Sequence, residues 1–217
     1  VLINNKADKD HVVTIRGGID TPGYQLNWRA IEVTTQNGTK AENGNSVDIK
    51  GLVDIEVSNS ASLFARGNYA TIDIGGGRII SHNYSSIWTS GYEALINLNM
   101  QKDAEGNVID AGNNYLQIEG DVSTATPYYG SYGTINVGLN TADSYLKGHF
   151  YGAGNNNLYL RNGAVWDNMP AVTHNWAGGS YSTNNIVSNL SNLYGGVDSA
   201  HAGNIYQHES EELRIQN

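Results

Sequence analysis

The chain reads as an all-β protein made of short, repeated strands, and three observations lead there. An aliphatic-x-aliphatic triplet, usually followed closely by Gly or Asn, recurs from Val13-Thr14-Ile15 to Leu213-Arg214-Ile215. Alternation with period two turns one side chain toward a core and the next toward solvent. Helical spacing is nearly absent. Polarity comes from 28 Asn and 26 Gly, with many Ser and Thr, while charged residues make up only 15%. That is a composition of tight turns between strands.

The triplets follow one another along the chain. Val47-Asp48-Ile49 precedes Gly51, and Val53-Asp54-Ile55 comes at once after it. Ile72-Asp73-Ile74, Ile96-Asn97-Leu98, Leu116-Gln117-Ile118, Ile135-Asn136-Val137 and Leu158-Tyr159-Leu160 continue the series. With the second aliphatic residue as marker, the steps from Ile55 to Leu160 are 19, 24, 20, 19 and 23 residues. A strand returning about every twenty residues predicts a β-solenoid, here of about eight or nine coils whose strands stack in parallel. Inward Asn residues at its turns are expected to stack in ladders that satisfy each other's amides. A β-sandwich or jelly roll also has short strands and Gly-rich turns, but its strand signals usually come every 8–12 residues.

Local signals refine this. Asn162-Gly163 predicts a tight turn after Leu158–Leu160, because both residue types tolerate positive φ. Gly75-Gly76-Gly77 lacks a following Lys-Ser/Thr and reads as a turn, not a phosphate loop. Asn97 to Gly112 reads as a hairpin protruding from the coil, with its turn at Glu105-Gly106-Asn107. Ile186, Leu190 and Leu193 have helical spacing, but the surrounding Asn residues and Gly195-Gly196 argue against a long helix. Up to about Asn45 the spacing widens, with 34 residues from Ile15 to Ile49, and the coils there are not assigned.

Net charge is −9 and only 12 Lys and Arg are scattered along the chain, which argues against a nucleic-acid partner. The absence of cysteine removes disulfides and thiolate metal sites. It is compatible with the cytosol and also suits a chain that must stay unlocked while crossing an oxidising compartment. No apolar run approaches the ~20 residues of a membrane helix. The abrupt ends suggest a fragment of something longer.

From Leu158 onward the chain resembles a known family. "LYLRNGAVWDN", a polar stretch, and then "IVSNLSNLYGGVDSA" are similar to the last coils of bacterial autotransporter (type V secretion) passenger domains. The matching residues are Asn162, Gly163, Ala164, Trp166, Leu190, Leu193, Gly195, Gly196 and Val197. The resemblance covers about the last 60 residues, 158–217, which correspond to the C-terminal coils near the autochaperone region. It implies a right-handed parallel β-helix over 1–217, exposed on the bacterial cell surface. Attachment to the outer membrane would run through a C-terminal β-barrel absent from this chain. The function implied is adhesion, aggregation or biofilm formation. The partner would be a host or bacterial surface receptor, a glycan, or the same protein on another cell.

Asp48, Asp54 and Asp73 sit between aliphatic residues on outward strand faces, near cations such as Lys50, and read as solvated. Stacking could still align them for a polysaccharide lyase or hydrolase, which is the alternative function along with a polysaccharide-binding or phage-type fibre. His11, His82, His149, His174, His201 and His208 read as surface or turn residues. Neither G-x-S-x-G nor H-E-x-x-H occurs, and Asp103 to Asp110 lacks the order of a calcium loop. No catalytic residue, metal ligand or cofactor is expected. Tyr128, Tyr129 and Tyr132 crowd one loop, and Tyr84 with Trp88 another. Such rings either bind partners and glycans or cap the narrow core. The binding candidates are therefore Tyr128, Tyr129 and Tyr132, with Lys102, Asp103, Glu105 and Asn107 of the hairpin.

Overall fold

The computed structural model describes residues 1–17, 29–35, 44–58, 60–124, 133–169, 174–176, 179–181, 187–208 and 212–216. Most of them are in strands, and the pairing between strands is mostly parallel. Three ladders account for nearly all of it. The first runs through Leu2–Ile3, Ser46–Val57, Thr71–Ser90, Leu95–Leu98, Thr134–Leu139, Asn155–Leu160 and Asn192–Tyr194. The second joins Val13–Gly17, Ser46–Val57, Thr71–Ser90, Leu116–Ser123, Tyr145–Lys147, Val165–Asn168 and Asn204–Gln207. The third joins Ile31–Thr35, Leu63–Gly67, Thr71–Ser90, Leu116–Ser123 and Phe150–Tyr151.

Thr71–Ser90 enters all three ladders in turn. Its start pairs in the first, Gly77 to Ile80 in the second, and Ile87 to Ser90 in the third. The glycine triplet makes the first bend possible. Gly77 has φ +111°, and a Cβ there would overlap the Val53 carbonyl oxygen, so only glycine lets the backbones approach this closely.

Register places like on like. Ile15, Ile55, Ile79, Ile118, Leu146, Trp166 and Ile205 form one column in the second ladder. Ile3, Ile49, Ile74, Leu98, Val137, Leu158 and Leu193 form its counterpart in the first. Ile31, Leu63, Ile87, Val122 and Phe150 supply the third. Together these columns build a continuous core among the described residues, less covered at Ile3, Ile15, Leu193 and Ile205. Each fully covered side chain contributes about 1.5–3 kcal/mol.

The twenty-residue spacing does not survive. Residues in register are separated by as few as 20 positions, Leu146 to Trp166, and as many as 46, Ile3 to Ile49. The evenly spaced triplets belong to two different ladders, Ile55 and Ile118 to the second and Ile74, Leu98 and Val137 to the first. Inserts of different length separate the strands, and lengthening a loop adds closure cost only slowly. Each of the two longer ladders holds seven positions among the described residues, fewer than the expected eight or nine. The N-terminal part fits the same scheme, since Leu2–Ile3, Val13–Gly17 and Ile31–Thr35 begin the three ladders. Ile15 is in register with Ile55, not with Ile49.

The hairpin exists. Met100–Lys102 pairs antiparallel with Val108–Ala111, and Gly106 turns with φ +87°. Asn162 and Gly163 make the predicted turn with φ +51° and +79°, yet the strands on either side belong to different ladders. The segment with helical spacing contains the strands Val187–Leu190 and Asn192–Tyr194. One 3-10 turn, Ser199–His201 capped by Asp198, is the sole helical element among the described residues. Tyr84 and Trp88 lie within a strand and not in a loop, and Trp88 stacks on Phe64 at 4.5 Å.

Candidate functional site

The outward side of the first ladder carries one polar column: Asp48, Asp73, Asn97, Asn136, Asn157 and Asn192. Each asparagine amide donates to the residue before it. Asn192 donates to Asn157 at 2.9 Å, Asn157 to Asn136 at 2.8 Å, Asn136 to Asn97 at 2.7 Å, and Asn97 to Asp73 at 2.7 Å. All the amides therefore point the same way. The run ends on a carboxylate, which only accepts. Lys102 donates to the same Asp73 oxygen at 2.5 Å, and Asp48 is paired with Lys50 at 2.6 Å. Asn97 and Asn136 are buried, whereas Asn157 and Asn192 are half-buried.

Turn asparagines also stack, though on the exposed side and not inward as expected. Asn162 donates to Asn140 at 2.8 Å and Asn140 to Asn113 at 3.3 Å. Asn99, with φ +52°, points inward and donates to the carbonyls of Asn114 and Gly138, both at 2.8 Å. The longest amide run nevertheless stands on strands, where period-two alternation keeps Asn on the outer side at every layer.

Beside this column lies a pair of tyrosines. Asn157-Leu158-Tyr159 is in register with Asn192-Leu193-Tyr194. The two rings stack at 4.3 Å with 19° between their planes. Burial pushes the Tyr159 hydroxyl above its ordinary range, with smaller contributions from Tyr194 and Asp110. The Arg161 guanidinium lies 5.7 Å from the centre of the Tyr159 ring. It donates to Asp110 of the hairpin at 2.6 Å and to the Gly195 carbonyl at 2.9 Å.

The hairpin residues chosen from sequence have structural partners. Lys102 is tied to Asp73. Asp103 accepts from the Asn107 backbone at 2.7 Å and from its side chain at 3.0 Å. These bonds, the side-chain one foremost, hold the Asp103 carboxyl below its usual range. Lys102, Asp103 and Asn107 thus close the hairpin and pin it to the ladder, while Glu105 stands exposed at the tip. Tyr128, Tyr129 and Tyr132 lie outside the described residues. Tyr159, Tyr194, Asn157, Asn192, Arg161 and Asp110 were not singled out from sequence. The signal for four of them was present: Asn-Leu-Tyr occurs twice, at 157–159 and 192–194.

The outer side of the second ladder is charged but mixed. Asp54 pairs with Arg16 and with Arg78, the latter at 3.0 Å, and Glu56 pairs with Arg78 and His82, both at 2.8 Å. Hydrogen bonds from His82 and Arg78 pull the Glu56 carboxyl down to about 2. Burial, with a bond to Glu119, pushes Tyr145 up to about 12. His208 pairs with Asp167 at 2.7 Å. Alternating signs leave no single-sign field to steer a charged partner.

His149 lies between Tyr145–Lys147 and Phe150–Tyr151, outside the strands as expected of a turn residue, but it is fully buried and not on the surface. Its Nδ1 lies 3.0 Å from Ser188 Oγ, and Asp121 accepts its backbone N–H at 3.2 Å. The constellation looks like that of a serine hydrolase, but its polarity is reversed. Ser188 gives its one hydroxyl proton to Asn168 at 2.6 Å. His149 Nδ1 must therefore donate to Ser188, where a general base would accept. Ser188, Asn168 and Asp121 are also fully buried, so the group works as an internal polar network. No protein-family model, curated protein or solved structure matches the chain.

Proposed function

We propose that the chain is a right-handed parallel β-solenoid serving as a non-enzymatic adhesive module, the passenger of an autotransporter at the bacterial cell surface. The observation that carries this reading is the ordered amide column Asn97, Asn136, Asn157 and Asn192. An asparagine amide has two donors and two lone pairs. Each ladder bond uses one of each, so the two half-buried members, Asn157 and Asn192, keep polar groups about 4.8 Å apart on the outer side. Repeated weak contacts of this kind add through multivalency when the same surface on another cell, or a glycan, is opposed to it. The resemblance over 158–217 supports the secretion route, and the turn at Asn162-Gly163 and the buried Trp166 are consistent with that match.

The test is display of the chain on a non-adhesive bacterial strain behind a membrane barrel. Settling of the suspension, and retention on surfaces coated with host glycans or matrix, are the expected results. Cells that stay dispersed and bind nothing, despite full surface display, refute adhesion.

A further inference from the structure

We propose that the shelf formed by Tyr159, Tyr194, Asn157, Asn192, Arg161 and Asp110 binds a neutral saccharide; this names the partner of the adhesive module and rests on that reading. The shelf combines three elements of sugar chemistry. Tyr194 supplies an aromatic surface that is 39% exposed and is held flat by Tyr159 behind it. The C–H face of a pyranose is apolar and packs on such a ring, which is already rigid and loses little entropy on binding.

Asn157 and Asn192 supply donors and acceptors two residues from the rings, on the same side of the sheet. Their ladder bonds fix the orientation of both amides, leaving one N–H and one lone pair of Asn157, and one N–H and both lone pairs of Asn192, outside the ladder. A sugar hydroxyl both donates and accepts, so it matches an amide edge better than a pure donor or acceptor does.

Arg161 and Asp110 supply the third element. Arg161 commits Nη1 and Nε to Asp110 Oδ1 and the Gly195 carbonyl. Asp110 Oδ1 also accepts its neighbour's backbone N–H at 2.8 Å. The Arg161 Nη2 group and Asp110 Oδ2 take no part in these bonds, so the ion pair keeps one donor and one acceptor for sugar hydroxyls. The two charges cancel, and for that reason a neutral ligand is favoured over an anionic one. The hairpin delivers Asp110 to this place, so its role is to complete the shelf.

The experiment applies soluble neutral hexose oligosaccharides, with glucose, galactose and mannose series tested separately, to the full chain by calorimetry. Tyr194→Ala and Asn192→Ala are compared with Tyr194→Phe, and circular dichroism verifies that each variant keeps its strands. At least one series is expected to bind with little dependence on salt. Affinity should fall about tenfold or more in Tyr194→Ala, equivalent to ~1.4 kcal/mol, and be largely kept in Tyr194→Phe. Two results overturn the shelf: no series binding at millimolar concentration, or equal binding by Tyr194→Ala. If displayed cells still aggregate in either case, adhesion stands and the saccharide site alone is lost. Saccharide binding without aggregation supports the shelf and counts against self-association.

Discussion

Replacing Trp166 by alanine tests the layered packing most directly. Trp166 is fully buried in the second-ladder column, with Leu146 before it and Ile205 after it. It meets Phe150 edge-on at 5.2 Å and 85°, and its Nε1 donates to the Gly148 carbonyl at 3.0 Å. Truncating a buried Trp or Phe to alanine generally costs about 3–5 kcal/mol through lost transfer energy and the cavity. Two local features push in opposite directions. The Gly148 carbonyl loses a partner, and leaving a buried group unpaired costs about 1–3 kcal/mol. Ile205, however, is 37% exposed, so water reaches the layer above and the cavity can partly relax. The second effect should offset most of the first, which places the expected loss at about 3–4 kcal/mol. Urea unfolding followed by far-ultraviolet circular dichroism reads it as a lower midpoint, by roughly 1.5–2 M for a slope near 2 kcal/mol/M. Hydrogen exchange supplies the spatial check. Amides of Asn204–Gln207 should lose protection first while those around Ile49 and Ile55 keep it, since stacked layers act mainly on their neighbours. A loss below about 1 kcal/mol, or uniform loss of protection along the chain, refutes nearest-neighbour stacking at this column.

Asn136→Asp puts a carboxylate where the buried ladder needs a donor toward Asn97. It should cost about 3 kcal/mol at neutral pH, and part of that should return as the pH is lowered. Burial raises the folded-state pKa of such a carboxyl, so protonation favours folding; melting temperatures measured against pH read the sign. His149 behaves oppositely. Burial holds its imidazole below the ordinary 6.5, so the unfolded chain binds the proton first. Stability should therefore fall as pH drops from about 6.5 toward the lowered value, and His149→Gln should flatten that part of the profile. Lys102→Ala should cost no more than about 1 kcal/mol in thermal melts, because its pair with Asp73 is partly solvated. A larger loss would show that the hairpin is integral to the core.

Much was legible in the linear pattern. Alternation in Ile72-Asp73-Ile74 or Ile96-Asn97-Leu98 determines by itself which residue faces inward, because the strand repeat is two wherever a strand forms. The hairpin could be read from its polar Glu105-Gly106-Asn107 tip, and the Asn162-Gly163 turn from the tolerance of both residues for positive φ. What alternation cannot encode is which triplet lies beside which. Ile15 pairs with Ile55 and Val137 with Leu158 because inserts of unequal length intervene, and loop length carries little energetic weight. Only tertiary register turned scattered asparagines at 97, 136, 157 and 192 into one ladder ending on Asp73. The same register stacked two distant Asn-Leu-Tyr triplets and buried His149 beside Ser188. A strand's own residues decide its faces, whereas its neighbours are chosen by the three-dimensional packing of the whole stack.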